Sequence, residues 1–271
     1  MSPPSCKCGC NGKARKCKLK ARPSLKYKDD LIGFQPGHHC IVSGASGRGK
    51  TVYVVDAILG EGIHKDHPGK WDAVVVMCDN ISIEQKAFKR LKKHFTGPGG
   101  VTFVTGLPKD ETEEEKLLDF LKQNNNNNYK TILVIDDLMT SSSSGSAQRF
   151  VDKLFTSARH LNTSVWELNQ AHTTARTRRL QAGYLICFAT PTDVKSLAHI
   201  CRSIRPESGG HDLLAAYRTA TEGHDGHGCL VMCMQEQPKF MFRNTSMNEC
   251  FDLDALPVDQ FGDQMIGASY E

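Results

Sequence analysis

The chain has 271 residues, 39% hydrophobic and 24% charged, with a formal net charge of +4, enough for one large α/β domain or two small ones. No apolar run approaches the roughly 20 residues of a membrane span, and no apolar stretch follows the basic N-terminus, so neither a membrane segment nor a secretory signal is expected. The charge is lopsided: residues 1–28 hold nine Lys/Arg and no Asp/Glu, whereas 247–271 hold six Asp/Glu and no Lys/Arg, which points to a polyanion partner such as nucleic acid, or else to solvated tails.

Residues 1–28 read as a basic, flexible arm, 29–246 as the folded domain and 247–271 as a loosely ordered acidic tail. The arm carries Cys6, Cys8, Cys10 and Cys17. Four thiolates could hold one Zn²⁺, but C-x-C-x-C is not the usual C-x₂₋₄-C pair. The other seven of the eleven cysteines are scattered singly and read as buried thiols in a reducing compartment.

Ile41 and Val42 close a short apolar run that reads as a buried strand. The next segment, GASGRGKT (Gly44, Ala45, Ser46, Gly47, Arg48, Gly49, Lys50, Thr51), fits G-x-x-x-x-G-K-[ST] at every fixed position, and VYVVDAIL then has helical spacing. Strand, glycine loop and helix in that order are the context of a phosphate-binding P-loop. Glycines let backbone N–H groups turn towards phosphate oxygens, and the helix N-terminus adds positive dipole. Lys50 is expected at the β/γ-phosphates and the Thr51 hydroxyl on Mg²⁺.

Residues 72–78 read as a strand buried on both faces, 82–95 as a basic helix, 101–104 as a strand and 112–123 as a helix with an acidic first turn. Asn124–Asn128 reads as a low-complexity loop tip. TILVIDD (131–137) has the form of a Walker B strand: Asp136 is the expected Mg²⁺-associated carboxylate, and Asp137 the group that polarises the attacking water. A strand flips successive side chains, but a turn at its end can bring both towards the phosphates. Two strand-like runs separate Lys50 from Asp136, so the carboxylate strand does not follow the P-loop strand directly. That arrangement is similar to the additional-strand branch of P-loop ATPases, in which a mostly parallel central sheet is flanked by helices.

Thr140–Ser146 reads as a mobile loop, 147–160 as a helix and 162–170 as a strand ending on Gln170, which could sense the γ-phosphate or orient water. HTTARTRRL (172–180) gathers Arg176, Arg178 and Arg179 into one loop, suited to gripping a phosphate backbone, to presenting an arginine to a neighbour's ATP, or to plain surface exposure. Strands are expected at 184–189, 228–234 and 239–242, with helices at 192–203 and 210–221. The histidines show no metal spacing.

Taken together, GASGRGKT, ILVIDDLM, LFTSARHLNTSVWELNQ and AYRTATEGHDGHGCLVM resemble the genome-packaging ATPases of the FtsK/HerA superfamily, of the type found in Polinton-like viruses, virophages, adintoviruses and large nucleocytoplasmic DNA viruses. The resemblance covers roughly residues 35–235. It implies ATP hydrolysis with Mg²⁺, a homo-oligomeric ring, and translocation of double-stranded DNA into a capsid. Capsid portal or vertex proteins would then be partners, at a viral assembly site or in the host nucleus. It carries Lys50 and Thr51 over as phosphate and Mg²⁺ contacts, Asp136 as the metal carboxylate, Asp137 as the catalytic acidic residue and Gln170 as the sensor. It sets Arg159 where an arginine could act on an adjacent subunit's nucleotide. Many relatives have Glu in place of Asp137. Other readings are a related DNA motor or helicase, and a nucleic-acid-binding protein whose P-loop does not hydrolyse.

Overall fold

A computed structural model of the chain describes residues 24–27, 34–64, 71–80, 82–97, 99–138, 145–172, 174–190, 193–222, 226–234, 241–243, 245 and 249–253. In chain order these form β1 (Ser24–Tyr27), β2 (His39–Ser43), α1 (Lys50–Leu59), β3 (Ala73–Cys78), α2 (Lys86–His94), β4 (Val101–Thr105), α3 (Glu111–Asn126) and β5 (Thr131–Asp136). There follow α4 (Gly145–Ser157), β6 (Thr163–Asn169), α5 (Arg176–Gln181), β7 (Ala182–Phe188), α6 (Val194–Ile204), α7 (His211–Thr221), β8 (Cys229–Cys233), β9 (Met241–Arg243) and β10 (Glu249–Asp252).

All ten strands join one sheet in the order β1-β10-β9-β8-β7-β2-β6-β5-β3-β4. From β7 to β4 the neighbours run parallel; from β7 to β1 they run antiparallel. The runs VVVMC, ILVI and GYLICF form strands because β-branched and aliphatic side chains must be covered on both faces. Every residue of β2, β3, β5, β6 and β7 is buried. Alternation sorts them into two cores: Ile41, Leu133, Ile135 and Val165 pack with α3, α4, α6 and α7, while Val42, Ile132, Val134 and Trp166 pack with α1 and α2. Burying each such aliphatic side chain is worth about 1.5–3 kcal/mol. Phe34 seals the second core, edge-on to Trp166 at 4.8 Å and to Tyr184 at 5.0 Å.

Insertion of β6 between β2 and β5 sets the site. The P-loop strand and the carboxylate strand lie one strand apart, with β6 between their ends.

Several sequence expectations change. Helix α3, capped by the Asp110 side chain accepting from the Glu113 N–H at 2.9 Å, runs on through Asn126. Asn124 is buried inside it, donating to Thr131 Oγ1 at 3.3 Å, so the first part of the asparagine run is helix rather than loop tip. Gly145 and Ser146, expected in a loop, open α4. The arginine-rich segment is likewise a helix, α5, and not a loop. The segments expected to be arm and tail each supply a strand, Ser24–Tyr27 and Glu249–Asp252, which pair with one another. Cys6, Cys8, Cys10 and Cys17 lie outside the described residues. Cys40, Cys78, Cys187, Cys201, Cys229 and Cys233 are buried thiols, and burial pushes those of Cys78 and Cys187 up to about 11 and about 12. Among the described residues no helix is long and apolar enough to cross a membrane.

Candidate active site

The P-loop leaves β2 under tight constraint. Gly44 N–H donates to Asn169 O at the end of β6, 3.1 Å away, and Ala45 N–H donates to Thr190 Oγ1 just past β7, also at 3.1 Å. A Cβ on Gly44 would lie 2.5 Å from Phe188 Cβ, so only glycine lets β2 and β7 stay paired there. Gly49 enters α1 at φ +85°, a left-handed conformation that glycine adopts without strain.

The first turn of α1 contains no acid; instead it begins with Lys50. Lys50 is 8% exposed, and its ammonium donates to the loop's own carbonyls, Gly44 O at 2.8 Å and Ala45 O at 3.1 Å. A cation at a helix N-terminus opposes the dipole, so an anion completes the electrostatics of this loop. Burial lowers the proton affinity of Lys50, and the charges of Asp137 and Asp136 act against that. Both carboxylates therefore lie within electrostatic range of the P-loop lysine.

Thr51 Oγ1 donates to Asp136 at 3.3 and 3.4 Å from its two oxygens. Asp136 is buried at the end of β5, and that burial pushes its carboxyl up to about 6; the Thr51 bond works in the opposite direction, while the Asp137 charge adds to the rise. Asp137 takes φ +56°, and its N–H donates to Leu168 O at 3.1 Å. This left-handed turn breaks the strand's alternation, so consecutive aspartates both act on Lys50. Gln170 Nε2 donates to Asp137 Oδ2. Four sequence-marked side chains, Thr51, Asp136, Asp137 and Gln170, thus form two bonded pairs beside Lys50.

The oxygen donors Thr51 and Asp136 fit a hard divalent cation. Among the described residues no cluster of three or more His/Cys/Asp/Glu could hold a metal alone. Such a two-ligand site suits Mg²⁺, which keeps waters and takes its remaining ligands from substrate phosphates.

Other residues near the loop carry no local signal in the sequence. Ser43 Oγ is hydrogen-bonded to His172 Nδ1 at 2.7 Å, and His172 N–H donates to Asp193 Oδ2 at 2.7 Å. Thr190 N–H donates to the Tyr217 hydroxyl at 3.0 Å, which itself donates to Phe188 O at 3.0 Å. Arg48 Nη1 donates to Gly226 O at 3.5 Å, which sets the approach to β8 against the P-loop. The only hint of these partners is position: Thr190 and His172 lie two and three residues past strand ends that flank β2.

The arginines part company. Arg159 is exposed in the 3-10 turn Ala158–Leu161, just before β6. Its charge acts on His39, the first residue of β2. It therefore sits at the opposite end of the strands from the P-loop, about 20 Å away along the seven-residue β6. Arg178 is buried against Glu167, with Asp152 2.8 Å from its Nε and Gln148 accepting from Nη2. The site does not include it, and it is not available to grip a phosphate backbone.

No protein-family profile matches the chain, and no curated protein matches it in sequence. Among solved structures it is similar to B204, the DNA-packaging ATPase from Sulfolobus turreted icosahedral virus, with a TM-score of 0.53 at 14% identity over 77% of this chain and 98% of that one. It is also similar to the genome packaging NTPase B204 from Sulfolobus turreted icosahedral virus 2 in complex with ATP-gammaS, with a TM-score of 0.50 at 15% identity over 80% and 98%. The chain has the P-loop NTPase fold. At these identities the likeness is one of fold, and the extra strand β6 between P-loop and carboxylate strands places it in the additional-strand arrangement.

Proposed function

We propose that this protein is an ATP-hydrolysing motor of the FtsK/HerA type that translocates double-stranded DNA and packages a viral genome into a capsid. The observation that carries the reading is the junction of P-loop and strand: Thr51 bonded to Asp136, with Lys50 and the Asp137–Gln170 pair beside it. Support also comes from the likeness in fold to B204, described as a DNA-packaging ATPase.

On this reading the residues divide the work. The segment Gly44–Thr51 wraps the triphosphate with backbone N–H groups, and Lys50 leaves the Gly44 and Ala45 carbonyls for the β/γ-phosphate oxygens. Thr51 and Asp136 would hold Mg²⁺, which would supply positive charge against the phosphate oxygens. Asp137 accepts a hydrogen bond from the attacking water and aligns it, and Gln170 holds the Asp137 carboxylate in that orientation. Because Arg159 is at the far end of its own strands, its action on a nucleotide would be in a neighbouring subunit, as in a homo-oligomeric ring. DNA is held through its phosphates, so no base sequence is read.

The test is ATP turnover with and without double-stranded DNA. Duplex DNA is expected to stimulate hydrolysis, and Lys50→Ala and Asp137→Asn each to remove about 10²-fold or more of it while the fold remains intact by circular dichroism. Normal turnover in both variants would overturn the assignment.

A further inference from the structure

A groove of about 250 Å³ lies beside α5, lined by Arg176, Arg179, Leu180, Leu185, Ile204 and Met234, among others. It combines an apolar floor with two guanidinium groups. Leu180 is 71% exposed, the largest exposure of any large apolar side chain among the described residues. Arg176 is exposed, and Arg179 donates to Thr174 O. Burial lowers the proton affinity of Arg179, and the Arg176 charge lowers it further. Two like charges face each other here, and no described carboxylate forms an ion pair with either. The groove thus calls for an occupant both apolar and acidic.

The chain itself contains one. Residues 254–271, DALPVDQFGDQMIGASYE, set Leu256, Val258, Phe261, Met265 and Ile266 among Asp254, Asp259 and Asp263, with no Lys or Arg. The topology also delivers this segment to the correct place. Strand β8 is antiparallel to β7, β9 to β8 and β10 to β9, so β10 ends at the edge of the sheet where β7 begins. The groove is at that same edge, since Met234 N–H donates to Gly183 O. Faces agree as well: Phe251 and Leu253 are buried in the same core cluster as Leu185 and Ile200, against which Ile204 and Met234 pack. Between β10 and β7 lie only β9 and β8, so the lateral span is three strand spacings, about 14 Å. Five extended residues cover that distance at about 3.4 Å each.

We propose that residues 254–271 dock into the α5–α6 groove of their own chain, with apolar side chains on Leu185, Ile204 and Met234 and aspartates against Arg176 and Arg179. The acidic tail is then a strap that occupies the basic helix α5, and a polyanion competes for the same arginines. This goes beyond the proposed motor activity and does not depend on it.

The test uses the full chain with a photo-crosslinking benzoylphenylalanine in place of Leu180. Light and heavy-isotope protein are mixed, irradiated and digested, and cross-linked peptides are identified by mass spectrometry. The expected product joins position 180 to the 254–271 peptide within one isotope label. Its yield is expected to fall about fivefold or more in Asp259→Asn/Asp263→Asn and at about 0.5 M salt, because salt screens charge pairing in an open groove. Cross-links to other segments only, mixed-isotope products, or a yield unaffected by the two substitutions would each overturn the proposal. Placing the same probe at Val194, 43% exposed on α6, controls for nonspecific capture; equal tail capture there also overturns it.

Discussion

Removing Arg178 is the sharpest way to separate a structural arginine from a DNA-binding one in helix α5. In Arg178→Gln, Glu167 keeps its buried position, with its side chain 1% exposed, but loses the guanidinium that compensates it. Asp152, 34% exposed, loses its partner with much less consequence because water can reach it. Breaking a buried pair from one side costs about 3–5 kcal/mol, a large part of the 5–15 kcal/mol that roughly bounds domain stability. With a urea dependence of about 3 kcal/mol/M, the unfolding midpoint should drop by about 1–1.7 M. The pH dependence adds a signature. Burial already raises the proton affinity of Glu167, and the Arg178 charge opposes that rise. Without Arg178 the native carboxyl binds its proton still more tightly than the unfolded one does. Native stability then falls as pH rises through the native value, so the deficit should be greater near pH 8 than near pH 5. Replacing both partners by apolar residues, Arg178→Met with Glu167→Leu, should recover most of the loss. A midpoint within about 0.3 M of the parent, together with lost DNA stimulation, would refute this reasoning and make Arg178 a DNA contact.

Two further predictions concern titrating groups in nucleotide-free, Mg²⁺-free protein. Burial holds Asp136 up to about 6, against about 3.9 when unfolded. Stability contributed by this group falls as pH rises through that window, and Asp136→Asn should therefore be more stable than the parent above it, by up to about 3 kcal/mol in urea unfolding, while losing turnover; a less stable variant contradicts the assignment. His39 and His172 are both held down to about 4, chiefly by burial. The unfolded chain binds these protons below about 6.5, so acid unfolding should deepen from there towards pH 4, with the two histidines outweighing Asp136. His39→Gln, which keeps an acceptor for the Val165 N–H, should flatten part of that slope in urea titrations at several pH values.

Much of this arrangement is legible in the sequence, because it is written locally. The P-loop pattern, the apolar run into Asp136 and Asp137, and the placement of Gln170 at a strand end all lie within short windows. Helix and strand positions follow from periodicity and from runs such as AVVVMC. What escapes is set by distant partners. Arg178 looks like its neighbours Arg176 and Arg179 until β6 brings Glu167 beneath it, 11 residues earlier in sequence. Thr190 meets the P-loop, and His172 the strand end before it, only because β7 and β6 flank β2. The strand at Glu249–Asp252 has no alternating pattern strong enough to announce itself, and it forms because β9 and β1 offer it two ladders. Arg159 shows the converse: its neighbours in sequence are informative, but only the strand direction reveals which end of the sheet it occupies.

The pairing of Ser24–Tyr27 with Glu249–Asp252 joins the earliest described strand to the last. A ribosome delivers residue 24 long before residue 252, so the outermost ladder cannot close until the later strand has been made. Until then the growing chain carries an unsealed sheet margin. Once closed, that seam holds Ser24 against Asp252 and Tyr27 against Glu249, so a change that loosens either strand deprives the other of its ladder.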